Sequence, residues 1–394
     1  MVDQALFAGT NFLVNVLLAR WLEPAAYGAF STAYALFLFT GTLHTALWTE
    51  PMLVYGSGRF RERFPAYQSV LIGYHWRFGL LVGLTFLSLA VFFARLQGRE
   101  LALSFLGLSL AAPAVLYLWL VRRGAYVRLD PRLAALGGGL YLFLYLGLAG
   151  LLLWVRLLNE ATAFLAMALA AVLAAEAIRR RLRGGAPTQV APSEVWALHW
   201  GYGRWALAAG ALSWVPANLP LVALGALKGL EAAGVFRAAY NLFMPVLHFQ
   251  TALNALFFPL IARVLHQQGK GQARRWVARV ILVHLVPAGA YVLLGFFAAP
   301  LTWWVYGGRY PEVVSLFLWM LPLPFLAAFS NALEAWHRSL EHPRAVAVAY
   351  GVSAGVTVLG LAAVGYWGVG GAVGLLLVAK AALVLGLSHR WAHG

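Results

Sequence analysis

The chain has 394 residues, of which 62% are hydrophobic and only 11% are charged, and it contains no cysteine. A soluble domain carries about 25% charged residues, so this composition excludes an ordinary soluble enzyme and a disordered chain. The lack of cysteine excludes a disulfide-stabilised secreted scaffold. The mean hydropathy of +0.77 indicates an integral membrane protein. In such a protein, the formal net charge of +16 indicates basic cytosolic loops rather than nucleic-acid binding.

Apolar runs between charge clusters and turn residues predict twelve transmembrane helices. The runs are apolar on all sides and too long for β-barrel strands, so they predict an all-α membrane protein. They leave no room for a folded domain outside the membrane. In chain order the predicted spans are 3–19, 29–50, 68–93, 101–121, 133–154, 161–178, 197–226, 232–260, 277–299, 313–336, 345–366 and 369–389.

Basic residues alternate between the predicted loops and so orient the helices. The arginine-rich loops are those around 59–63, 122–132, 179–183, 263–279 and 338–344. The opposite side has six cations, which are Arg20, Arg95, Arg99, Arg156, Lys228 and Arg309. Cytosolic loops carry the excess of Lys and Arg, so both termini are predicted to be cytoplasmic. Residues 1–3 lack the basic segment of a cleavable signal peptide, and their abrupt start suggests that a short preceding segment is missing.

An internal repeat groups the predicted helices into two sets of six. The motif G-x-F-x-x-A-Y occurs at 28–34 and again at 234–240, and each copy opens an even-numbered span. A second motif, Pro-Arg-x-x-Ala, begins at Pro131 and at Pro343. Six spans return the chain to the same side, so the halves are predicted to relate by a pseudo-two-fold axis along the membrane normal. The predicted domains are an N-terminal six-helix bundle at 1–178, a cytoplasmic linker at 179–195 and a C-terminal six-helix bundle at 196–394.

Several short motifs are spread over nearly the whole chain: Asp3-Gln4-Ala5, 9–12, Tyr27-Gly28-x-Phe30, 49–54, Arg122-Arg123-x-x-Tyr126, Gly203-Arg204-Trp205, Asn218-Leu219-Pro220 and 234–242. They resemble motifs of the Wzx-type polysaccharide and O-antigen flippases, which belong to the MATE-like multidrug/oligosaccharidyl-lipid/polysaccharide (MOP) exporter superfamily. The resemblance implies two six-helix bundles and alternating access. The implied activity moves an undecaprenyl-pyrophosphate-linked oligosaccharide across the bacterial cytoplasmic membrane, coupled to an ion or proton gradient, for surface polysaccharide biosynthesis. The implied partners are the lipid-linked oligosaccharide, membrane lipids, a polysaccharide polymerase and glycosyltransferases.

Polar residues inside the apolar runs are the candidates for a binding site, since an ionisable group at membrane depth costs about 2.5–3.5 kcal/mol. In span 8 the polar residues Arg237, Asn241, His248 and Thr251 lie on one helical face by their spacing, together with Met244. In span 1, Asn11 and Asn15 share a face with Gln4. Both stripes predict either a hydrated passage that contacts sugar hydroxyls or a hydrogen-bonded seam between helices.

Arg77, Arg237 and Lys380 are the cations placed deepest in the predicted spans. Arginine binds phosphate oxygens bidentately, so the three predict a cationic track for a pyrophosphate headgroup. Snorkelling to the interface is the alternative for Arg77 and Lys380. Arg204 is predicted at a cytosolic mouth, where it either collects the headgroup or anchors its helix.

Three carboxylates, Asp3, Glu50 and Glu334, are candidates for ion or proton coupling. His248 and His284 are further candidates. The alternative for Glu50 and Glu334 is interfacial solvation or pairing with Arg338 or Arg59.

Other motifs do not indicate chemistry. Gly351-x-Ser353-x-Gly355 matches a hydrolase motif, but it lies inside a predicted span, where G-x-x-x-G favours helix packing, as Gly79-x-x-x-Gly83 does. No Walker A loop, H-E-x-x-H motif or cysteine cluster is present, so no enzyme activity, cofactor or metal is predicted. Two alternatives to a flippase stay open: a cation-coupled MATE-type drug exporter, and a membrane polysaccharide polymerase or ligase. The excess of deep cations favours an anionic cargo.

Overall fold

The computed structural model describes residues 2–182, 189–340 and 342–392, with side chains at all of these positions except 2–8, 11, 255, 343 and 390–392. Every regular element in these ranges is a helix, which confirms the all-α prediction. The helices are α1 (Val2–Trp21), α2 (Pro24–His44), a π-helical turn (Thr45–Thr49), α3 (Glu50–Ser57), α4 (Phe64–Arg95), α5 (Arg99–Val127), α6 (Pro131–Trp154), α7 (Glu160–Leu182), α8 (Pro192–Lys228), α9 (Leu230–Asn241), α10 (Met244–Gly295), α11 (Ala298–Tyr306), α12 (Val313–Met320), α13 (Pro322–Ser339), α14 (Pro343–Leu359) and α15 (Leu361–Ala392).

Eight helical stretches in the described part of the chain are long and apolar enough to cross a membrane. They are α4, α5, α6, α7, α8, α10, the stretch of α12 and α13, and α15. The chain is therefore a multi-pass membrane protein, while the number of twelve spans stays a prediction.

Two of the longest helices each consist of two helices that meet at a glycine. In α10 the break is at Gly269, with φ 79° and ψ 174°, and in α15 it is at Gly368, with φ 59° and ψ −130°. Both glycines have a positive φ, which residues other than glycine rarely adopt. After Gly269 the chain folds back, so that Val277 packs in one apolar cluster with Ile261 and with Trp336 of α13.

The chain divides into two compact units, and α1, α2 and α8 contribute residues to both. Unit 1 comprises Met1–Val14 and Ala29–Ala211, and in it α5 packs against α4, α6 and α7. Unit 2 comprises Asn15–Gly28 and Leu212–Gly394, and in it α13 packs against α10, α14 and α15. These units follow packing rather than chain order, and the predicted domain boundaries at 178 and 196 stay predictions.

The two copies of the G-x-F-x-x-A-Y motif have their glycines in contact inside unit 2. Gly28 lies near the start of α2, and Gly234 lies in α9. A methyl group added at Gly28 would overlap the carbonyl oxygen of Leu230 and lie 2.9 Å from the backbone nitrogen of Gly234. Small residues allow two helix backbones to approach closely in a membrane. The crossing of α2 and α9 therefore depends on these two glycines.

The two G-x-x-x-G motifs differ in what they contact. In α4, a methyl group at Gly79 would lie 3.0 Å from the Pro113 side chain, and one at Gly83 would lie 2.9 Å from the Ser109 carbonyl oxygen, so this motif packs against α5. In α14, positions 351 and 355 have no atom within 4 Å of such a methyl group among the described residues. The packing interpretation is confirmed for α4 only.

Candidate functional site

Unit 2 contains a polar cavity of about 210 Å³ between α8, α9, α10, α13, α14 and α15. Its polar lining includes Ser213, Tyr240, Thr251, Asn331, Tyr350, Ser353 and Lys380. Apolar side chains such as Leu247, Leu323 and Leu376 complete the wall. Within an apolar bundle, such a cavity can hold water or a small polar group.

Lys380 and Glu334, for which the sequence predicted two different roles, interact with each other. Lys380 of α15 lines the cavity and interacts electrostatically with Glu334 of α13, which also acts on the Tyr350 hydroxyl. Glu334 also forms an ion pair with Arg338 at 3.6 Å, which is the alternative predicted for this carboxylate. The Glu334 side chain is only 12% exposed. One carboxylate therefore compensates the charge of Lys380 and pairs with Arg338.

Replacing Glu334 by glutamine should destabilise unit 2, because the Lys380 ammonium then loses the carboxylate that compensates its charge. We expect a cost of about 1–3 kcal/mol, below the roughly 3–5 kcal/mol lost when a fully buried pair is broken. The double variant Glu334→Gln/Lys380→Met should recover most of this loss. Apparent Tm values of the purified variants test the cycle, with the exposed Glu312→Gln as control. If the decrease in apparent Tm of the double variant equals the sum of the two single decreases, Glu334 does not compensate the charge of Lys380.

Arg237 of α9 is a buried arginine, with 6% of its surface exposed. Its guanidinium carbon lies 5.9 Å from the centre of the Tyr240 ring, and its charge acts on His248 and Tyr306. Its Nε is buried without a hydrogen-bond partner, and no carboxylate pairs with it among the described residues. A buried cation without a counter-charge is costly, so this position suits an anionic ligand.

The predicted polar stripe on span 8 is interrupted in the structure. Helix α9 ends at Asn241 and α10 begins at Met244, so the two helices do not share one regular face. Asn241 is fully buried and donates from Nδ2 to the Tyr27 hydroxyl at 2.6 Å. His248 is half-buried beside Arg237, and Thr251 lines the cavity. The alternative prediction, a hydrogen-bonded seam, describes Asn241, whereas Thr251 contacts the cavity.

The other predicted site residues are not among the residues that line this cavity. Arg77 is exposed on α4, with its guanidinium 5.9 Å from the Tyr74 ring centre, and Arg204 is exposed on α8 beside Trp205 at 5.7 Å. Glu50 is exposed at the start of α3, and Asn15 is buried in α1. The side chains of the last two candidates, Asp3 and Asn11, lie outside the described residues.

Unit 1 contains buried polar side chains that are not among the residues predicted from the sequence. His44 of α2 and His75 of α4 are both fully buried, and Nε2 of His44 lies 3.1 Å from Nδ1 of His75. A third buried histidine, His199 of α8, is bound by the Tyr67 hydroxyl. Each lies inside a predicted span, so the general rule that intramembrane ionisable residues are functional candidates could have identified them.

Comparisons with known proteins agree with this fold. A family model described as polysaccharide biosynthesis protein matches residues 161–315. No curated protein matches the chain.

Among solved structures, an inward-facing multidrug resistance MATE family transporter of the MOP superfamily has a TM-score of 0.78 at 13% identity, covering 99% of this chain and 94% of that one. The lipid II flippase MurJ in an inward closed conformation has a TM-score of 0.76 at 9% identity, and the match covers 99% of this chain and 87% of MurJ. A MOP superfamily transporter from Pyrococcus furiosus, described by the reverse polarity of its binding pocket, has a TM-score of 0.67 at 13% identity, covering 99% and 93%. The chain is therefore a multi-pass membrane protein with a MATE-like fold, and residues 161–315 match a family of polysaccharide biosynthesis proteins.

Proposed function

We propose that this protein moves a lipid-pyrophosphate-linked oligosaccharide across the bacterial cytoplasmic membrane by alternating access, driven by an ion or proton gradient. The observation that carries the proposal is Arg237, a buried cation without a carboxylate partner among the described residues, inside the segment that matches polysaccharide biosynthesis proteins. A pyrophosphate headgroup would supply the negative counter-charge that Arg237 does not receive from a carboxylate among the described residues. Both termini would lie in the cytoplasm, as the basic loops predict.

The cavity of unit 2 provides a second element of the proposal. Lys380 adds a cation, while Asn331, Ser353 and Thr251 add groups that can exchange hydrogen bonds with sugar hydroxyls. The volume of about 210 Å³ holds a small part of such a cargo, for example one sugar or one phosphate group. We propose that the cavity and Arg237 act on different parts of the same headgroup.

Transport of a defined cargo in proteoliposomes tests this function. A short-chain polyprenyl-pyrophosphate oligosaccharide with a fluorescent label is placed in both leaflets, and a membrane-impermeant reagent then quenches the label in the outer leaflet. The protein should increase the quenched fraction with time, whereas empty liposomes should not. Complementation of a strain lacking its polysaccharide flippase provides the second measurement. Failure in both assays, with folded protein, would overturn the proposal.

A MATE-type drug exporter is the second candidate, since a MATE transporter has a TM-score of 0.78 to this chain and Glu334 supplies a carboxylate beside the cavity. An exporter of organic cations would lower the accumulation of a cationic dye such as ethidium in cells. Dye export without movement of the lipid-linked oligosaccharide would favour this candidate.

A further inference from the structure

The histidine pair of unit 1 is enclosed by aromatic rings. His44 Nε2 and His75 Nδ1 lie 3.1 Å apart, with ring planes at 90°. Trp48 and Phe78 lie against His44, with ring centres 5.3 Å and 6.0 Å away, and Tyr117 stacks on His75 at 5.6 Å. Both histidines are fully buried. The two imidazoles therefore share a hydrogen bond inside an aromatic shell.

Counting protons shows what this pair can do. A neutral imidazole has one N–H donor and one bare nitrogen acceptor. The hydrogen bond between the rings uses one N–H and one bare nitrogen. The two outer nitrogens, His44 Nδ1 and His75 Nε2, then comprise one N–H and one bare nitrogen, and the direction of the bond decides which is which. Both atoms are buried: His44 Nδ1 has no hydrogen-bond partner, and outside the pair His75 interacts with the backbone of Pro113. The bare nitrogen can accept one more proton, and the hydrogen bond between the rings persists in the charged state.

Charged groups lie beyond the aromatic shell rather than against the pair. On the α5 side, the Tyr117 hydroxyl donates to Glu176 of α7 at 3.0 Å, and Glu176 pairs with Arg179 at 2.8 Å. On α4, Arg77 is two residues from His75 and exposed, and at the end of the π-helical turn Glu50 is exposed. The carboxylate nearest through contacts, Glu176, is already neutralised by an arginine. A proton on the pair therefore adds a net positive charge to the interior of unit 1.

The local backbone is irregular at this point. The π-helical turn Thr45–Thr49 begins directly after His44, and α5 carries Pro113, whose backbone interacts with His75. Single π turns occur frequently at functional sites, and a proline bends its helix. Adding a charge beside such irregular backbone can change how α2, α4 and α5 pack. Regular helices, whose backbone hydrogen bonds are complete, would resist this change.

His199 provides an internal comparison. It is also buried in unit 1, but both of its ring nitrogens have partners: Nε2 lies 2.6 Å from the Tyr67 hydroxyl and Nδ1 lies 2.7 Å from the carbonyl oxygen of Leu47. A neutral histidine with one donor and one acceptor is fully satisfied there. Its role is structural, in contrast to the pair.

We propose that the His44–His75 pair is a proton-binding site of unit 1, which takes up one proton when the transport cycle hydrates it and releases that proton on the other side of the membrane. The role of this pair in coupling rests on the proposed function, because the pair would be the group through which transport responds to a proton gradient. On uptake an O–H bond of hydronium breaks as the N–H bond forms, on release the N–H bond breaks and an O–H bond re-forms, and no other bond changes.

Transport under a proton gradient tests the coupling role. In the proteoliposome assay, each coupled proton should change the equilibrium distribution of cargo by about tenfold per pH unit of gradient. His44→Gln and His75→Gln keep hydrogen-bonding capacity but cannot become cations, so both should transport cargo without responding to the gradient. The matched control His199→Gln and the exposed control His266→Gln should respond as the wild type does.

Direct proton binding is measured separately from cargo. In ¹⁵N-histidine-labelled protein, each variant should lose one histidine signal set, which assigns the signals of His44 and His75. In the wild type these two sets should titrate together once the site is hydrated. If neither set titrates and the variants still respond to the gradient, the histidine proposal is wrong. If the wild type moves no lipid-linked oligosaccharide but the sets titrate together, the proposed function fails and the proton site stands.

Discussion

Replacing Arg237 by glutamine should reduce translocation of lipid-linked oligosaccharide by about a hundredfold or more and leave the protein folded. The guanidinium is buried and pairs with no carboxylate among the described residues, so its removal breaks no ion pair. Against a pyrophosphate it would make two charge-assisted hydrogen bonds, each worth about 1.5–3 kcal/mol. Losing at least about 3 kcal/mol corresponds to a factor of a hundred.

The stability of the same variant distinguishes a ligand-binding role from a structural one. A buried cation without a counter-charge destabilises the empty protein, so Arg237→Gln should keep or raise the apparent Tm. Arg237→Lys keeps the charge but not the bidentate geometry and should retain part of the transport. The exposed Arg204→Gln, an arginine beside an aromatic ring like Arg237, is the control and should change transport less. A lower Tm with unchanged transport per folded protein would show that Arg237 is structural.

The helical membrane fold could be predicted from composition and run length, because every apolar span must satisfy its own backbone in lipid. The positions at which helices break within spans were harder to predict. Helix α9 ends at Asn241 because Pro245, four residues later, has no N–H to donate to the Asn241 carbonyl oxygen. The periodicity of the polar side chains does not reveal this break. Spacing therefore predicted one continuous stripe, where the structure has two helices.

Partners distant in sequence were the second feature that spacing could not predict. Asn241 bonds to Tyr27, which is 214 positions away, and Glu334 compensates Lys380 on another helix. One-dimensional periodicity shows which residues share a face, but not which helix covers that face. The individual polar residues could be found from the sequence, and their pairing required the packing of the helices.

The paired glycines of the repeat lead to the largest expected effect on folding. Gly28→Ala and Gly234→Ala should each destabilise the protein by about 3 kcal/mol or more, the upper end of what overpacking costs. A methyl group at position 28 would overlap the carbonyl oxygen of Leu230, and one at position 234 would overlap that of Pro24. Both obstacles are backbone atoms, which cannot rotate away as a side chain can. The helices would have to separate, and the hydrogen bond from Asn241 to Tyr27 lies beside this crossing.

The matched controls are glycines with free space around them. Gly73→Ala in α4 and Gly351→Ala in α14 place the same methyl group where no described atom lies within 4 Å. Alanine is also the better helix former by about 1 kcal/mol, so these variants should be as stable as the wild type or more so. Yield in the membrane, monodispersity in detergent and apparent Tm measure the difference. The two sensitive glycines occupy equivalent positions of the repeated motif, and both meet the same packing requirement where α2 crosses α9. Wild-type stability of Gly28→Ala would refute that crossing.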